Sequence, residues 1–264
     1  MHFLKSHPSV RTSQPLLVRD DALLRTLEGA GLDSFEAMWE LPREFVEPIN
    51  QRRGGWSGVS LLLLPEADGS LGRWYLKRQE RQTRYSWRYP WGAPTFRYEI
   101  DALRHALQQR WPSVPLQAFG LASSGYRQRA LLLTREIAWP TLADYENQAQ
   151  LLQESGAAMT AIGHALYELH ASGWQHGALF PNHMFVDLAH GQLQLIDFER
   201  ARKRLFAGDA ACADLTQFLR RADWLAPAAL RDLLQAYFFK APRVIARLSR
   251  RFPVLNDLSL EISA

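Results

Sequence analysis

Two short stretches carry residue types at spacings that could do chemistry. The first is Trp174-Gln175-His176-Gly177-Ala178-Leu179-Phe180-Pro181-Asn182-His183-Met184-Phe185-Val186, and the second is Leu195-Ile196-Asp197-Phe198-Glu199. Together they read as a turn led by a histidine, a hairpin, and an acid at the end of a short apolar strand. Asp197 in that place would hold a magnesium ion against nucleotide phosphates, the arrangement that phosphoryl transfer uses. His176 would brace the loop rather than move a proton. Two residues after His176, where a phosphotransferase keeps a catalytic Asp, stands Ala178. The layout points to phosphoryl transfer, and the alanine leaves catalysis open.

Other roles for these side chains stay in view. A strand-end Asp can simply cap a turn. Seven residues after His176, where a metal-binding Asn would fall, comes His183, with Asn182 just before it. Magnesium prefers hard oxygen ligands, so His183 reads equally well as a ligand and as a core histidine. Glu199 and Asp187 are the nearby carboxylates that could replace a missing base.

Upstream, Arg52-Arg53-Gly54-Gly55-Trp56-Ser57-Gly58-Val59 precedes a strong strand. Gly54, Gly55 and Gly58 would let backbone amides approach a phosphate, although an ordinary glycine turn has the same composition. Lys77 at the end of a strand over 74–77 and Glu99 early in the next helix suit a phosphate-binding lysine and the acid that orients it. Either alone could be a surface residue; their order along the chain suggests the pair. From Lys77 to Trp91 cations alternate with aromatics, a composition suited to sugar phosphates, anionic lipid or single-stranded nucleic acid. Arg81, Arg84 and Arg88 are the acceptor-facing candidates there, against the plainer reading of a solvated basic face.

These side chains need elements to place them. Residues 15–50 read as two short helices, the first capped by Asp20-Asp21, the second by Asp33 or Ser34 and stopped by Pro42. Strands follow over 58–64 and 74–77, then a basic aromatic loop over 78–95. A helix spans 96–110, with Ile100, Leu103 and Leu107 at helical spacing. A strand pair covers 118–121 and 130–134. Beyond Pro140 the chain turns helical: Thr141 caps one helix, another runs to His170 and stops at Gly173, and 209–222 and 227–240 are helical again. The order predicts an α+β chain: an antiparallel-sheet lobe with one main helix over 1–136, then a mostly helical lobe with the hairpin over 137–264.

Composition sets bounds. The 264 residues, 47% hydrophobic and 22% charged with a net charge of +4, suit one large domain or two modest lobes. Lys and Arg crowd into 73–97 and 243–251. The single Cys212 can form no internal disulfide, which fits a reducing cytoplasm. There is no apolar run of secretory or membrane-spanning length, so the chain reads as soluble, with peripheral membrane contact left open. No nucleic-acid module is recognisable.

Taken in order, Lys77-Arg78-Gln79-Glu80, Pro94-Thr95-Phe96 with Glu99, Leu131-Leu132-Leu133-Thr134-Arg135, His176-Gly177-Ala178-Leu179 with His183, and Ile196-Asp197-Phe198-Glu199 resemble the bacterial lipopolysaccharide kinase family. The branch they resemble is the InaA-like one, related to heptose and Kdo kinases. The resemblance covers roughly residues 50 to 220. It implies a protein-kinase-like two-lobe fold, ATP with magnesium (manganese as a substitute), and transfer of the γ-phosphate to a sugar hydroxyl of a glycolipid or sugar-phosphate acceptor at the cytoplasmic face of the inner membrane. On that resemblance Lys77 binds phosphates, Glu99 holds Lys77, and Asp197 carries the metal. Known kinases of the family keep an Asp where this chain has Ala178. Two functions therefore stand side by side: an ATP-dependent phosphotransferase acting on lipopolysaccharide core, and a nucleotide-binding pseudokinase with a regulatory or scaffold role. A third, well behind, is a binding module built on the basic aromatic segment.

Overall fold

The computed structural model describes residues 4–5, 15–52, 54–124 and 127–257. Arg53, part of the glycine-rich stretch, and most of residues 1–14 lie outside them. The chain forms two compact units. One takes the described residues up to Gln108 together with Val114–Glu136, and the other takes Gln109–Ser113 and the residues from Ile137 onward. Gln109–Ser113, expected with the first lobe, packs with the second because Leu195 N–H bonds to the Pro112 carbonyl and the Trp111 ring meets Trp174 edge-on.

The first unit begins with β1 (Leu4–Lys5), β2 (Leu17–Val18), α1 (Asp21–Gly29) and α2 (Phe35–Trp39). Asp20 caps α1 by accepting the Leu23 N–H, and Ser34 caps α2 by accepting that of Ala37. Then come β3 (Asn50–Arg52), β4 (Gly55–Pro65), β5 (Leu71–Glu80), β6 (Thr83–Ser86), β7 (Tyr89–Pro94), α3 (Thr95–Gln109), β8 (Leu116–Ser124) and β9 (Arg127–Arg135). Seven strands form one antiparallel sheet in the order β1-β2-β8-β9-β5-β4-β3. Alternation along β5 gives each face a task. Leu76 joins Leu131, Leu133 and the apolar residues of α1 and α2 in a core on one face, and Lys77 faces α3 on the other.

Two expectations are corrected here. Lys77 does not end its strand; β5 runs three residues further, because Arg78, Gln79 and Glu80 all have partners that make polar strand residues tolerable. The segment expected as a loop over 78–95 instead completes β5 and then folds back as the β6–β7 hairpin, with Ser86 opposite Tyr89. Its Thr, Tyr and Trp residues favour extended backbone, and a basic, aromatic composition hid that preference.

The second unit holds α4 (Ala149–Glu154), α5 (Gly156–Ala171), β10 (Trp174–Gln175), β11 (Met184–Asp187), β12 (Gln192–Leu195), β13 (Arg202–Lys203), α6 (Ala207–Leu219), α7 (Pro227–Lys240), α8 (Pro242–Leu248) and α9 (Val254–Asp257). Thr141 and Asp144 form a capping box on a single 3-10 turn rather than on a longer helix. Ile162, Leu166 and Leu169 of α5 are fully buried, alongside Leu233 and Leu234 of α7. Two small antiparallel pairs, β10–β13 and β11–β12, frame the loop that carries the candidate chemistry. Among the described residues no helix is long and apolar enough to cross a membrane.

Candidate active site

The run Lys77-Arg78-Gln79-Glu80 sits on β5 with its side chains alternating between the faces of the sheet. Lys77 Nζ lies 2.6 Å from Glu99 Oε1, and the Glu99 side chain is 2% exposed. Gln79, fully buried, ties β5 to the start of α3: its Nε2 donates to Thr95 Oγ1 at 2.6 Å, and its Oε1 accepts the Phe96 N–H at 2.9 Å. That tie sets the position of α3, and so of Glu99 one turn further on. Arg78 points the other way and is wholly buried. Its guanidinium donates to the carbonyls of Trp39, Leu41 and Pro42 and to Ser60 Oγ, closing the end of α2 against the sheet. Glu80 accepts from Arg129 and from the Trp56 indole.

The glycine-rich stretch forms the β3–β4 turn. Gly54 is exposed at its tip with φ of 74°. A side chain at Gly55 would collide with the carbonyl of Glu80, and one at Gly58 would come within 2.5 Å of the Phe45 ring. Protein packing alone thus requires two of the three glycines.

In the second unit the loop from His176 to His183 is held from several sides. His176 is fully buried. Its Nε2 bonds the carbonyl of Ile196 at 2.9 Å and its Nδ1 faces the Ala178 N–H at 3.2 Å. A carbonyl can only accept and an amide only donate, so the ring is neutral with its proton on Nε2. Burial pulls its pKa down to about 4 despite the neighbouring carboxylates of Asp214 and Asp197. Gly177 has φ of 83°, and a Cβ there would stand 2.6 Å from the Arg200 carbonyl oxygen. Only glycine fits this turn.

Asp214, on α6 and fully buried, was not picked out from the sequence. Its Oδ2 accepts the His176 N–H at 2.6 Å and its Oδ1 the Gly177 N–H at 2.8 Å, while His170 Nε2 lies 3.1 Å away. Burial pushes this carboxyl up, but the hydrogen bond from His170 and the other donors outweigh it and hold it below the ordinary value. The available signal was an acid on the otherwise apolar face formed by Ala210, Ala211, Leu215 and Phe218.

Asp197 follows β12 in the left-handed region, φ 64° and ψ 60°, a conformation that Asp tolerates better than most residues. Its neighbour Ile196 is pinned twice, at its carbonyl by His176 and at its N–H by the carbonyl of His183. His183 Nδ1 is 3.0 Å from the Ala178 carbonyl and 3.8 Å from Asp197 Oδ2. Ala178 is 1% exposed. Glu199 lies on the short turn after Asp197. Asp187 is turned to the end of its own hairpin, where it accepts from the Ala189 N–H and pairs with His190, so it is not aimed at Ala178.

Of the three candidate arginines, Arg84 stacks on the Tyr98 ring at 4.5 Å and Arg88 lies 3.8 Å from Asp101 with its side chain 66% exposed. Arg81 is exposed in the turn before β6 with φ of 60°. The structure thus gathers Lys77 with Glu99, and His176 with Ala178, His183 and Asp197. It does not gather the arginines into one anion site.

Lys77, ion-paired with Glu99 and 18% exposed at its side chain, suits a phosphate. Among the described residues no group of three or more His, Cys, Asp or Glu could hold a metal by itself. Magnesium asks less, since it keeps waters and takes phosphate oxygens beside one or two carboxylates. Asp197, with a third of its side chain exposed, suits that need; His183 offers only a nitrogen.

The first unit thus carries a strand lysine oriented by a helix glutamate, and the second carries a histidine-braced loop beside a strand-end Asp, each an arrangement of a kind that phosphoryl transfer uses. The family model of the lipopolysaccharide kinase (Kdo/WaaP) family matches residues 36–237. The chain belongs to that family. It is 29% identical to Protein InaA of Escherichia coli strain K12 over 223 residues, which is 80% of this chain and 97% of that one. A solved structure of WaaP in complex with acyl carrier protein shares its fold at a TM-score of 0.62, with 19% identity over 92% of this chain and 95% of that one. The α+β architecture expected from the order of elements, and the kinase-like fold that the family resemblance implied, are therefore the fold of this chain.

Proposed function

We propose that the protein is an ATP-dependent phosphotransferase acting on a sugar hydroxyl of lipopolysaccharide core or a related glycan, at the cytoplasmic face of the inner membrane. The observation that carries this reading is the Lys77–Glu99 ion pair at 2.6 Å on buried elements. Lys77 would bind the nucleotide phosphates, and Glu99 keeps its ammonium in place. Asp197, with His183 beside it, would hold magnesium or manganese. ATP with its metal supplies the phosphoryl group. His176, Gly177 and Asp214 position the loop and touch no reactant. Because Ala178 offers no carboxylate, turnover falls short of an enzyme with a base there, by roughly 10²–10⁴-fold. Most of the acceleration of phosphoryl transfer comes from positioning and charge, which this chain retains.

The same alanine favours a second reading, a nucleotide-binding pseudokinase with a regulatory or scaffold role. The WaaP structure was solved with an acyl carrier protein, so a carrier of that kind is a partner to test under either reading. Radiolabelled γ-phosphate transfer to purified core oligosaccharide separates the two. Transfer above a Lys77→Ala control supports the enzyme. A melting shift with ATP and metal, without transfer, supports the pseudokinase.

A further inference from the structure

The β6–β7 hairpin is fastened to α3 through one face. The Tyr98 hydroxyl bonds the Arg84 carbonyl at 3.1 Å and Ser86 Oγ at 2.8 Å, and the Tyr98 ring meets Tyr89 edge-on at 5.4 Å. Tyr89 bonds Asp101 through its hydroxyl, and Arg97 Nε reaches Asp101 Oδ1 at 3.3 Å. These contacts anchor the hairpin to α3. At the tip and away from α3, the large side chains stand in solvent: Tyr85 is 70% exposed, Trp91 90% and Trp87 103%. Two indoles this exposed on a well-anchored element are unusual for a surface that meets only water.

Charge narrows the occupant. Between Arg81 and Tyr98 the chain carries Arg81, Arg84, Arg88 and Arg97 and no acid. The carboxylate beneath, Asp101, is 8% exposed at its side chain and already shared by Arg88 and Arg97. Tryptophan and tyrosine, with an apolar body and a polar tip, settle at the headgroup level of bilayers. Arginines beside them meet lipid phosphates. A pre-shaped protein pocket asks for a central anchor within a rim. Here Trp87 projects from the two-residue turn and Tyr85 and Trp91 from the strands beside it, a convex arrangement that suits a deformable surface.

We propose that this hairpin docks the protein on an anionic phospholipid surface, with Trp87, Trp91 and Tyr85 entering the headgroup layer and Arg88, beside Trp87 in the turn and 66% exposed at its side chain, facing the phosphates. Docking of this kind needs neither nucleotide nor turnover, so it stands or falls apart from the phosphotransfer reading. The experiment is co-sedimentation of the full chain with vesicles of mixed phosphatidylglycerol and phosphatidylcholine, and with vesicles of phosphatidylcholine alone. The wild type should bind the anionic vesicles at 0.1 M salt and release by roughly tenfold at 1 M, where the screening length falls from about 10 Å to about 3 Å. Trp87→Ser with Trp91→Ser should weaken binding by about tenfold or more and leave the melting temperature unchanged, since both side chains are exposed. Absence of wild-type binding, equal binding to neutral vesicles, or equal binding by the double variant would overturn the proposal. So would self-association of the wild type that the double variant loses while vesicles go unbound; that result would make a second copy the occupant.

Discussion

His183 donates its Nδ1 proton to the carbonyl oxygen of Ala178 at 3.0 Å. The residue that lacks the catalytic carboxylate thus fixes, through its backbone, which nitrogen of the proposed metal ligand His183 carries a proton. In the neutral ring Nε2 is then the nitrogen with a lone pair. Imidazole suits manganese and later metals better than magnesium. The ATP-induced rise in melting temperature should therefore be larger with manganese than with magnesium. His183→Asn, which restores an oxygen ligand, should narrow or reverse that difference. Equal shifts with both metals in wild type and variant would remove His183 from the metal site.

Lys77→Ala should erase the melting shift with ATP. At a hundred-fold excess over its dissociation constant a native-state ligand stabilises by about 2.7 kcal/mol, a readily measured effect. The variant should also lose roughly 1–3 kcal/mol in urea unfolding, because it takes the ammonium from a nearly buried carboxylate. Adding Glu99→Gln to Lys77→Met should recover much of the stability and none of the ATP response. A normal ATP response in Lys77→Ala would contradict the phosphate role.

Acid should loosen the second unit. His176 has a folded-state pKa of about 4, below its ordinary 6.5. On acidification the unfolded chain takes up the proton first. The stability this group contributes is complete above about pH 6.5 and drains as the pH falls towards 4; its size is on the order of 3 kcal/mol. The depressed Asp214 carboxyl adds a further loss below its ordinary value of 3.8. Unfolding free energies measured from pH 7 to 4 should fall more steeply for wild type than for His176→Gln. Parallel curves would mean that the ring is not held neutral.

Ala178→Asp tests the missing base directly. Transfer to core oligosaccharide should rise by about tenfold or more if the rest of the site is complete. The position is 1% exposed, so the new carboxylate should also lower stability by at least about 1 kcal/mol. No transfer by wild type and variant alike would settle for the scaffold role.

Local signals made much of this readable from the sequence. Asp20 and Ser34 announce their helices by the hydrogen bonds that caps require, and Ile162, Leu166 and Leu169 keep helical spacing wherever the helix packs. The order of elements was enough for the α+β two-lobe architecture, and the family resemblance named the fold. Residues whose meaning depends on distant partners were harder. Arg78 reads as one more cation in a basic segment, yet it is buried against carbonyls thirty-six to thirty-nine residues away. Asp214 lies thirty-eight residues beyond the His176 amide it accepts. No local pattern carries that pairing. The β6–β7 hairpin was missed because its exposed aromatics supply no buried face, and alternation shows in a sequence only where one face is buried.

The four residues Lys77-Arg78-Gln79-Glu80 carry a lesson about insertion and deletion. Each is committed to one side of the sheet, Lys77 and Gln79 to α3, Arg78 and Glu80 to the other. A frame slip of one residue in β5 would send the arginine towards Glu99 and the lysine into the cage of carbonyls. Length changes should therefore be tolerated in the exposed turn at Ala67–Ser70, where the chain can absorb them before β5 begins, and purged between Arg73 and Glu80. The motif works as an indexing mark for the strand, and drift in this protein should be confined to substitutions that leave that mark aligned.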